Sequence, residues 1–346
     1  MRIAIIAEID RENEFPHEFS PIRYHHVGYW LQELSKRHEV AIVDWRDLDE
    51  GFNAKEYVIQ GEQRPQIIRE EKNLEDLGDV ILIRQSGPMH SQKRGTEKFK
   101  FSEESYKQFL TSIKQFSRPV INDPEMLMLA ISKEYLLTLE KNGLPVIPSL
   151  IVTKPISIDA LKEHLIALHS CREVVVKPKL FSGYGAGVRK LSSFSNDNEF
   201  KEYFEKFNPL IAQPVLESIY VEGEFSLIFL GEQVSHAVNK ITGSFLINQD
   251  FNPTYSQFEP SEEMIETARQ VKKMIEQEYH CSMDGIMRFD FIKKDGIFLL
   301  NEIEMINPGL YIRDLNMYPE FLEKLEKYLV SVKEKFDSKF IEQELR

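Results

Sequence analysis

Cysteine is scarce in this chain, with Cys171 and Cys281 the only two among 346 residues. Two isolated thiols build neither a disulfide framework nor a cysteine zinc site, so a reducing, cytoplasmic setting is expected. Positive charge is short as well. With 43 Lys+Arg against 56 Asp+Glu the formal charge is −13, and such a surface repels phosphate backbones and anionic lipid, so neither a nucleic acid nor a membrane is expected as partner. Long apolar runs are missing. Residues 1–7 meet charge at Glu8, too soon for a signal peptide, and no stretch approaches the roughly 20 apolar residues that span a bilayer. G-x-S-x-G and C-x-x-C are both absent, and apart from His25-His26 the histidines are dispersed, which leaves no Ser/His/Asp or Cys/His nucleophile in view. There is no internal repeat and no low-complexity segment.

What is present is a globular mixture, 42% hydrophobic and 29% charged, which excludes a disordered chain. The length suits about two domains of roughly 100–200 residues each. Residues 2–7 read as a buried strand, 24–36 as a helix with Val27, Trp30, Leu31 and Leu34 at helical spacing, and 40–45 as a second strand. A third strand, 80–83, ends at Arg84, a helix occupies 103–116, and 119–122 follow as a short strand. Strands alternating with helices predict a parallel α/β sheet over residues 1–122, with Arg84 at the rim where strand ends face a crevice. A helix over 124–141, a strand at 149–152, a helix at 157–170 and a strand at 174–176 predict a small α+β unit over 123–210. From there to 330 the pattern predicts strands at 210–216, 224–230 and 233–239, a helix at 261–278, and a hairpin of 287–292 with 296–303. An amphipathic helix with Leu322, Leu325, Leu329, Val332 and Phe336 on one stripe continues into a helical tail at 331–346.

Four features carry chemistry. Lys177 ends a strand and precedes Ser182-Gly183-Tyr184-Gly185-Ala186-Gly187; a lysine there can reach a phosphate while glycines let backbone N–H groups approach it. The spacing is neither a P-loop nor a dinucleotide fingerprint, and alone it also fits a plain turn. Gln213-Pro214-Val215 ends a strand and Glu224 follows, a pairing that can offer backbone to an adenine edge and a carboxylate to ribose hydroxyls, or can be an edge strand with a solvated acidic turn. Arg288 and Asp290 share one face of a strand, Glu302 and Glu304 share one face of its neighbour, and Asn307-Pro308-Gly309 follows. Three facing carboxylates on otherwise apolar strands repel unless a cation lies between them, and oxygen ligands without His or Cys suit Mg²⁺ or Mn²⁺. A solvent-facing polar strand face is the plainer alternative. Lys133 and Lys240, each able to be a surface lysine, add positive charge in the same regions.

In this order the four features resemble the ATP-grasp superfamily, and within it the glutathione-synthetase-like branch. The matching stretches are 174–178, 183–188, 213–215, 222–227, 288–290, 301–304 and 307–308, within the span 122–312. The resemblance implies an ATP-grasp fold preceded by a Rossmann-like parallel-sheet domain, a lid subdomain at 123–210 and a larger subdomain with the metal site at 211–330. It implies ATP as cofactor with Mg²⁺ or Mn²⁺, two ions, held by Asp290, Glu302 and Glu304. Lys133 and Lys177 match the lysines on the α- and β-phosphates, and Ser182, Gly183, Gly185 and Gly187 the phosphate loop. Gln213, Pro214 and Val215 match the adenine hinge, Glu224 the ribose acceptor, Lys240 a γ-phosphate contact, and Arg288 the arginine that stabilises a tetrahedral intermediate. Arg84, His25, His26 and Asn307 are substrate candidates. Two positions depart from the pattern: Glu304 stands where glutathione synthetases and D-alanine ligases usually have Asn, and Leu246 stands near where many relatives carry Arg. The activity implied is an ADP-forming carboxylate–amine ligase acting through an acyl phosphate on small-molecule acid and amine substrates, with a homodimer possible. A small-molecule kinase and a nucleotide-binding regulator without turnover are the competing readings.

Overall fold

Ile3, Ala4, Ile5 and Ile6 are all buried, which a strand achieves only when both of its faces are covered. A computed structural model of the chain, describing residues 1–7, 33–44, 53–58, 66–84, 103–169, 172–180, 187–245 and 253–344, shows what covers them. The first sheet has the order β4-β3-β2-β1-β5-β6. Its parallel half consists of β1 (Arg2–Ala7), β2 (Glu39–Asp44), β5 (Val80–Ile83) and β6 (Val120–Ile121). An antiparallel pair, β3 (Asn53–Val58) and β4 (Gln66–Asn73), extends it on one edge. That pair was not foreseen, because its charged sequence shows no apolar run. Of the helix expected at 24–36, residues 33–35 are helical and 24–32 lie outside the described residues.

Helices α1 (Leu74–Leu77) and α2 (Glu103–Ile113) precede β6, and two more follow it where one was expected. The first, α3 (Pro124–Ala130), is capped by Asp123, with Pro124 in its first turn, and the second, α4 (Tyr135–Lys141), begins four residues after Ile131. The break arises because Ser132 pairs with Leu180 and the Lys133 N–H donates to the Lys179 carbonyl at 3.1 Å, bonds made outside the helix ladder. Lys133 is thereby turned toward the second half of the molecule. A four-stranded sheet, β7-β10-β8-β9, comprises β7 (Leu150–Val152), β8 (Val174–Pro178), β9 (Arg189–Lys190) and β10 (Leu210–Pro214). With helices Ile158–His169 and Asp197–Phe207 it encloses its own core around Leu161, Val174, Phe200 and Phe204.

The third sheet is antiparallel, β13-β12-β11-β14-β15. Its strands are β11 (Glu224–Leu230), β12 (Gln233–Ile241), β13 (Thr254–Gln257), β14 (Ile286–Lys294) and β15 (Ile297–Glu304). The helix Glu262–Tyr279, capped by Ser261, covers one face through Met264, Ala268, Val271 and Ile275. The last helix, Tyr318–Glu344, is continuous across residues 330 and 331. Phe321, Leu322, Leu325 and Leu329 pack in one cluster with Ile3 and Ile5 of the first sheet and Ile228 and Leu230 of the third. No described helix is long and apolar enough to cross a membrane. This mixed α/β architecture, a first sheet with a parallel half followed by two antiparallel sheets, is the fold class that the sequence predicts.

Candidate functional site

Strand pairing aligns the charged residues before any side chain is considered. Across β14 and β15, Arg288 faces Glu304 and Asp290 faces Glu302; across β11 and β14, Ser226 faces Asp290; across β11 and β12, Glu224 faces Lys240. Period-two alternation then sends all of them to one face of the sheet. The turn between the 3₁₀ segment Glu217–Tyr220 and β11 is set by Gly223, whose φ is +80°, and a Cβ there would stand 2.3 Å from the Lys240 carbonyl oxygen. Only glycine fits both the conformation and the approach.

Asp290 has no exposure and is the hub. Arg288 donates from Nε at 2.8 Å and from Nη2 at 2.7 Å to the two Asp290 oxygens, Lys240 Nζ lies 3.2 Å from Oδ1, and Ser226 Oγ donates to the same carboxylate. Burial opposes its charge, but Arg288 and Lys240 win and hold its carboxyl below the ordinary aspartate range. Lys240 is also paired with Glu224, which accepts from Asn301 Nδ2 at 3.2 Å. Burial raises the Glu224 pKa against the pull of Lys240. Burial likewise raises that of Glu304, with Glu302 and Asp290 adding to the effect, although Arg288 Nη1 stands 3.2 Å from Glu304 Oε2.

Glu302 is gripped from the other side. Lys133, from the break between α3 and α4, brings Nζ to 2.9 Å from Glu302 Oε2, and Lys177, near the end of β8, brings its own to 3.9 Å from the same oxygen. Burial pushes Lys177 down to about 8, with Glu302 pulling the other way. Burial is outweighed at Glu302, whose pKa the two lysines lower. The donor chemistry fits a hard divalent ion, three carboxylates with no imidazole or thiol among them. As the acids stand, each is drawn to a cation, and no group of three among the described residues is gathered tightly enough to hold an ion.

Gln213, Pro214 and Val215 run from the small sheet into the large one, and Gln213 Nε2 donates to Ser149 Oγ at 2.9 Å. Beside them Ile147, Val215, Leu216, Ile219 and Ile292 form an apolar cluster with Val175, Tyr220, Phe245 and Leu299 against it. Arg84, at the end of β5, donates to the Pro308 carbonyl at 2.6 Å and lies 3.4 Å from Asn307 Oδ1, so these substrate candidates meet at the loop that follows Glu304. Gly187 has φ +73°, and its carbonyl accepts from the Tyr203 hydroxyl. His25, His26, Ser182, Gly183, Gly185 and Leu246 lie outside the described residues.

Several residues at this site escaped the sequence reading. Ser226 had a signal, its period-two spacing from Glu224. Asn301 had one too, as the first residue of the matching stretch 301–304, and Tyr311 had none. The Tyr311 backbone is left-handed, with φ 54°, and its ring centroid is 5.4 Å from the Arg288 guanidinium carbon, 5.3 Å from Lys240 Nζ and 4.9 Å from the ring of Tyr255. A non-glycine residue in that conformation is uncommon and is concentrated at ligand sites.

No family model matches the chain, and no curated protein matches its sequence. Solved structures do match. The chain is similar to a D-cycloserine synthetase, DcsG, at 19% identity and TM-score 0.62, covering 93% of this chain and 99% of that one. It is similar to the D-alanine–D-alanine ligase from Coxiella burnetii at 15% identity and TM-score 0.61, covering 99% of both chains. Its similarity to the ATP-grasp ligase PsnB, complexed with a minimal precursor, is 16% identity and TM-score 0.59 over 94% of this chain and 99% of that one. Matches over nearly the whole of both chains mean that the first sheet, the small sheet and the large sheet recur together, and the chain has the fold of the ATP-grasp ligases.

Proposed function

We propose that this protein is an ATP-dependent carboxylate–amine ligase that activates an acid as its acyl phosphate, passes the acyl group to an amine and releases ADP and phosphate. The observation that carries the reading is the convergence of Lys133 and Lys177 on one Glu302 oxygen, beside the Asp290, Arg288 and Glu304 cluster. Two lysines borne by segments outside the strand that carries the acid make a seat where phosphate oxygens can take the place of the carboxylate. The fold supports the reading, since proteins that share it are a D-cycloserine synthetase and D-alanine–D-alanine ligases, and one PsnB structure is complexed with Mg and ADP.

In this reading Lys133 and Lys177 neutralise the α- and β-phosphates, Ser182, Gly183, Gly185 and Gly187 offer backbone N–H groups, Gln213, Pro214 and Val215 receive adenine, and Glu224 accepts the ribose hydroxyls. Lys240 meets the γ-phosphate. The last two roles are linked, because Glu224 becomes free for ribose only as Lys240 turns from it to phosphate. Asp290, Glu302 and Glu304 would hold Mg²⁺ or Mn²⁺, as two ions, which when bound offset charge on the phosphate oxygens. The substrate carboxylate attacks the γ-phosphorus while the lysines stabilise the spreading charge. Arg288 then turns its planar fork to the oxyanion formed as the amine attacks the acyl carbon. Arg84 and Asn307, with His25 and His26, contact the acid or amine, and residues 123–210 close over them as a lid that excludes water.

The test is product analysis. With ATP, Mg²⁺ and a panel of carboxylic acids, ADP and phosphate should appear, and hydroxylamine should trap the acid as a hydroxamate when no amine is supplied. AMP as the nucleotide product refutes the mechanism. A stable phosphorylated product that hydroxylamine leaves intact identifies a kinase instead.

A further inference from the structure

Among the described residues β15 is an edge strand, and one row of its backbone groups has no neighbouring strand there. Around Leu300 the segment leading into β7 takes that place: Leu300 donates to the Pro145 carbonyl at 2.8 Å and accepts from the Ile147 N–H at 2.8 Å. At Ile303 a side chain does the same work. The Tyr135 hydroxyl accepts from the Ile303 N–H at 2.8 Å and meets the Ile303 carbonyl at 3.4 Å, so one phenolic oxygen serves both groups. Its ring is 1% exposed and belongs to the core that α4 shares with the large sheet. Ile303 stands between Glu302 and Glu304, and Tyr135 stands two residues after Lys133, which is paired with Glu302.

We infer that Tyr135 is a positioning residue whose hydroxyl pins the outer edge of β15 at Ile303 and so holds Glu302 and Glu304 opposite Asp290 and Arg288. The ring alone supplies the packing. The hydroxyl touches the strand only between the two glutamates, so its effect falls on their alignment. It also ties that alignment to the start of α4, so that Lys133 and the carboxylate it grips move as one piece. The inference rests on the proposed reading of these glutamates as metal ligands, because alignment matters to an ion far more than to a solvated acid.

The experiment uses the full chain, with Mn²⁺ as probe in the presence of ADP, binding being read by water-proton relaxation. Tyr135→Phe keeps the ring and removes the hydroxyl; Mn²⁺ affinity should fall about 10–100-fold, the range found when groups that orient metal ligands are lost. Amide exchange at Ile303 should quicken in the same variant. Tyr279→Phe is the control, since the Tyr279 hydroxyl meets α4 at Thr138, 2.7 Å away, and not β15; it should bind Mn²⁺ like the parent. Unchanged Mn²⁺ affinity in Tyr135→Phe overturns the inference and leaves the ligase reading standing. A parent chain that binds no Mn²⁺ overturns the metal reading and the inference with it. Should the variant fail to fold, the parent still decides: an Ile303 amide that exchanges as fast as an exposed one refutes the pinning.

Discussion

In the proposed reading, Lys177 is where acid–base behaviour and nucleotide binding meet. Burial brings its ammonium down to about 8, and a phosphate placed against it favours the charged form, so binding takes up a proton above that pH. Affinity for ATP is therefore expected to fall as pH rises through about 8, by up to roughly tenfold per unit, and Lys177→Arg should flatten the profile. Binding titrations from pH 7 to 9.5 check this, and a parent profile without slope would show that Lys177 does not meet the phosphates. The acids should separate by depth. Asp290→Asn leaves the buried Arg288 and Lys240 short of a counter-charge, and urea unfolding should register a loss of about 3–5 kcal/mol. Glu302→Gln takes the charge from a carboxylate that is 18% exposed and shared by Lys133 and Lys177, so its loss of stability should be smaller than that at Asp290, while turnover drops at least about a hundredfold. A Glu302→Gln chain as active as the parent removes that residue from the site. At this scale the sequence was informative wherever the chemistry follows strand alternation, as with Arg288 and Asp290. It was silent on Tyr135 and Tyr311, whose places depend on contacts between segments far apart in the chain.

Among the elements, the buried strands were legible because their apolar runs are continuous, and the hairpin of β14 and β15 because its turn residues, Asp295 and Gly296, adopt the positive φ that such turns require. The helix expected over 124–141 was not, since nothing local announces that Ser132 and Lys133 bond to the strand end at Lys179 and Leu180. That break is functional in the proposed reading, because an unbroken helix would keep the Lys133 backbone in its own ladder. The turn before β11 makes a sharper prediction. Gly223→Ala must leave the left-handed region and push the new methyl off the Lys240 carbonyl, at a cost of about 1–3 kcal/mol. Lys240 should shift with it, so nucleotide affinity and the urea midpoint are expected to fall together. A variant matching the parent in both would show that the turn relaxes freely.

At the level of the whole molecule, the last helix is the piece that joins the first sheet to the third. The four side chains it buries between them, Phe321, Leu322, Leu325 and Leu329, contribute about 6–12 kcal/mol together at 1.5–3 each, comparable to an entire folding free energy of about 5–15 kcal/mol. A chain ending at residue 317 should therefore fail to fold, whereas one ending at 337 should melt within a few degrees of the parent, because residues 338 and 339 are exposed. Circular dichroism melts of the two truncations decide it. The sequence displayed the apolar stripe of this helix; what it could not display was that two separate sheets receive it.

The ion pairs at the centre of the large sheet carry one more consequence. Four acids, Glu224, Asp290, Glu302 and Glu304, are matched by four bases, Lys133, Lys177, Lys240 and Arg288, so the patch is formally neutral inside an acidic protein. A neutral receptor gains little from a bare polyanion and discriminates in favour of one that arrives with its counter-ions. With no net charge on the patch for salt to screen, nucleotide accompanied by divalent metal should bind almost independently of added potassium chloride, and metal-free nucleotide should bind weakly throughout, without the steep loss that a basic site would show.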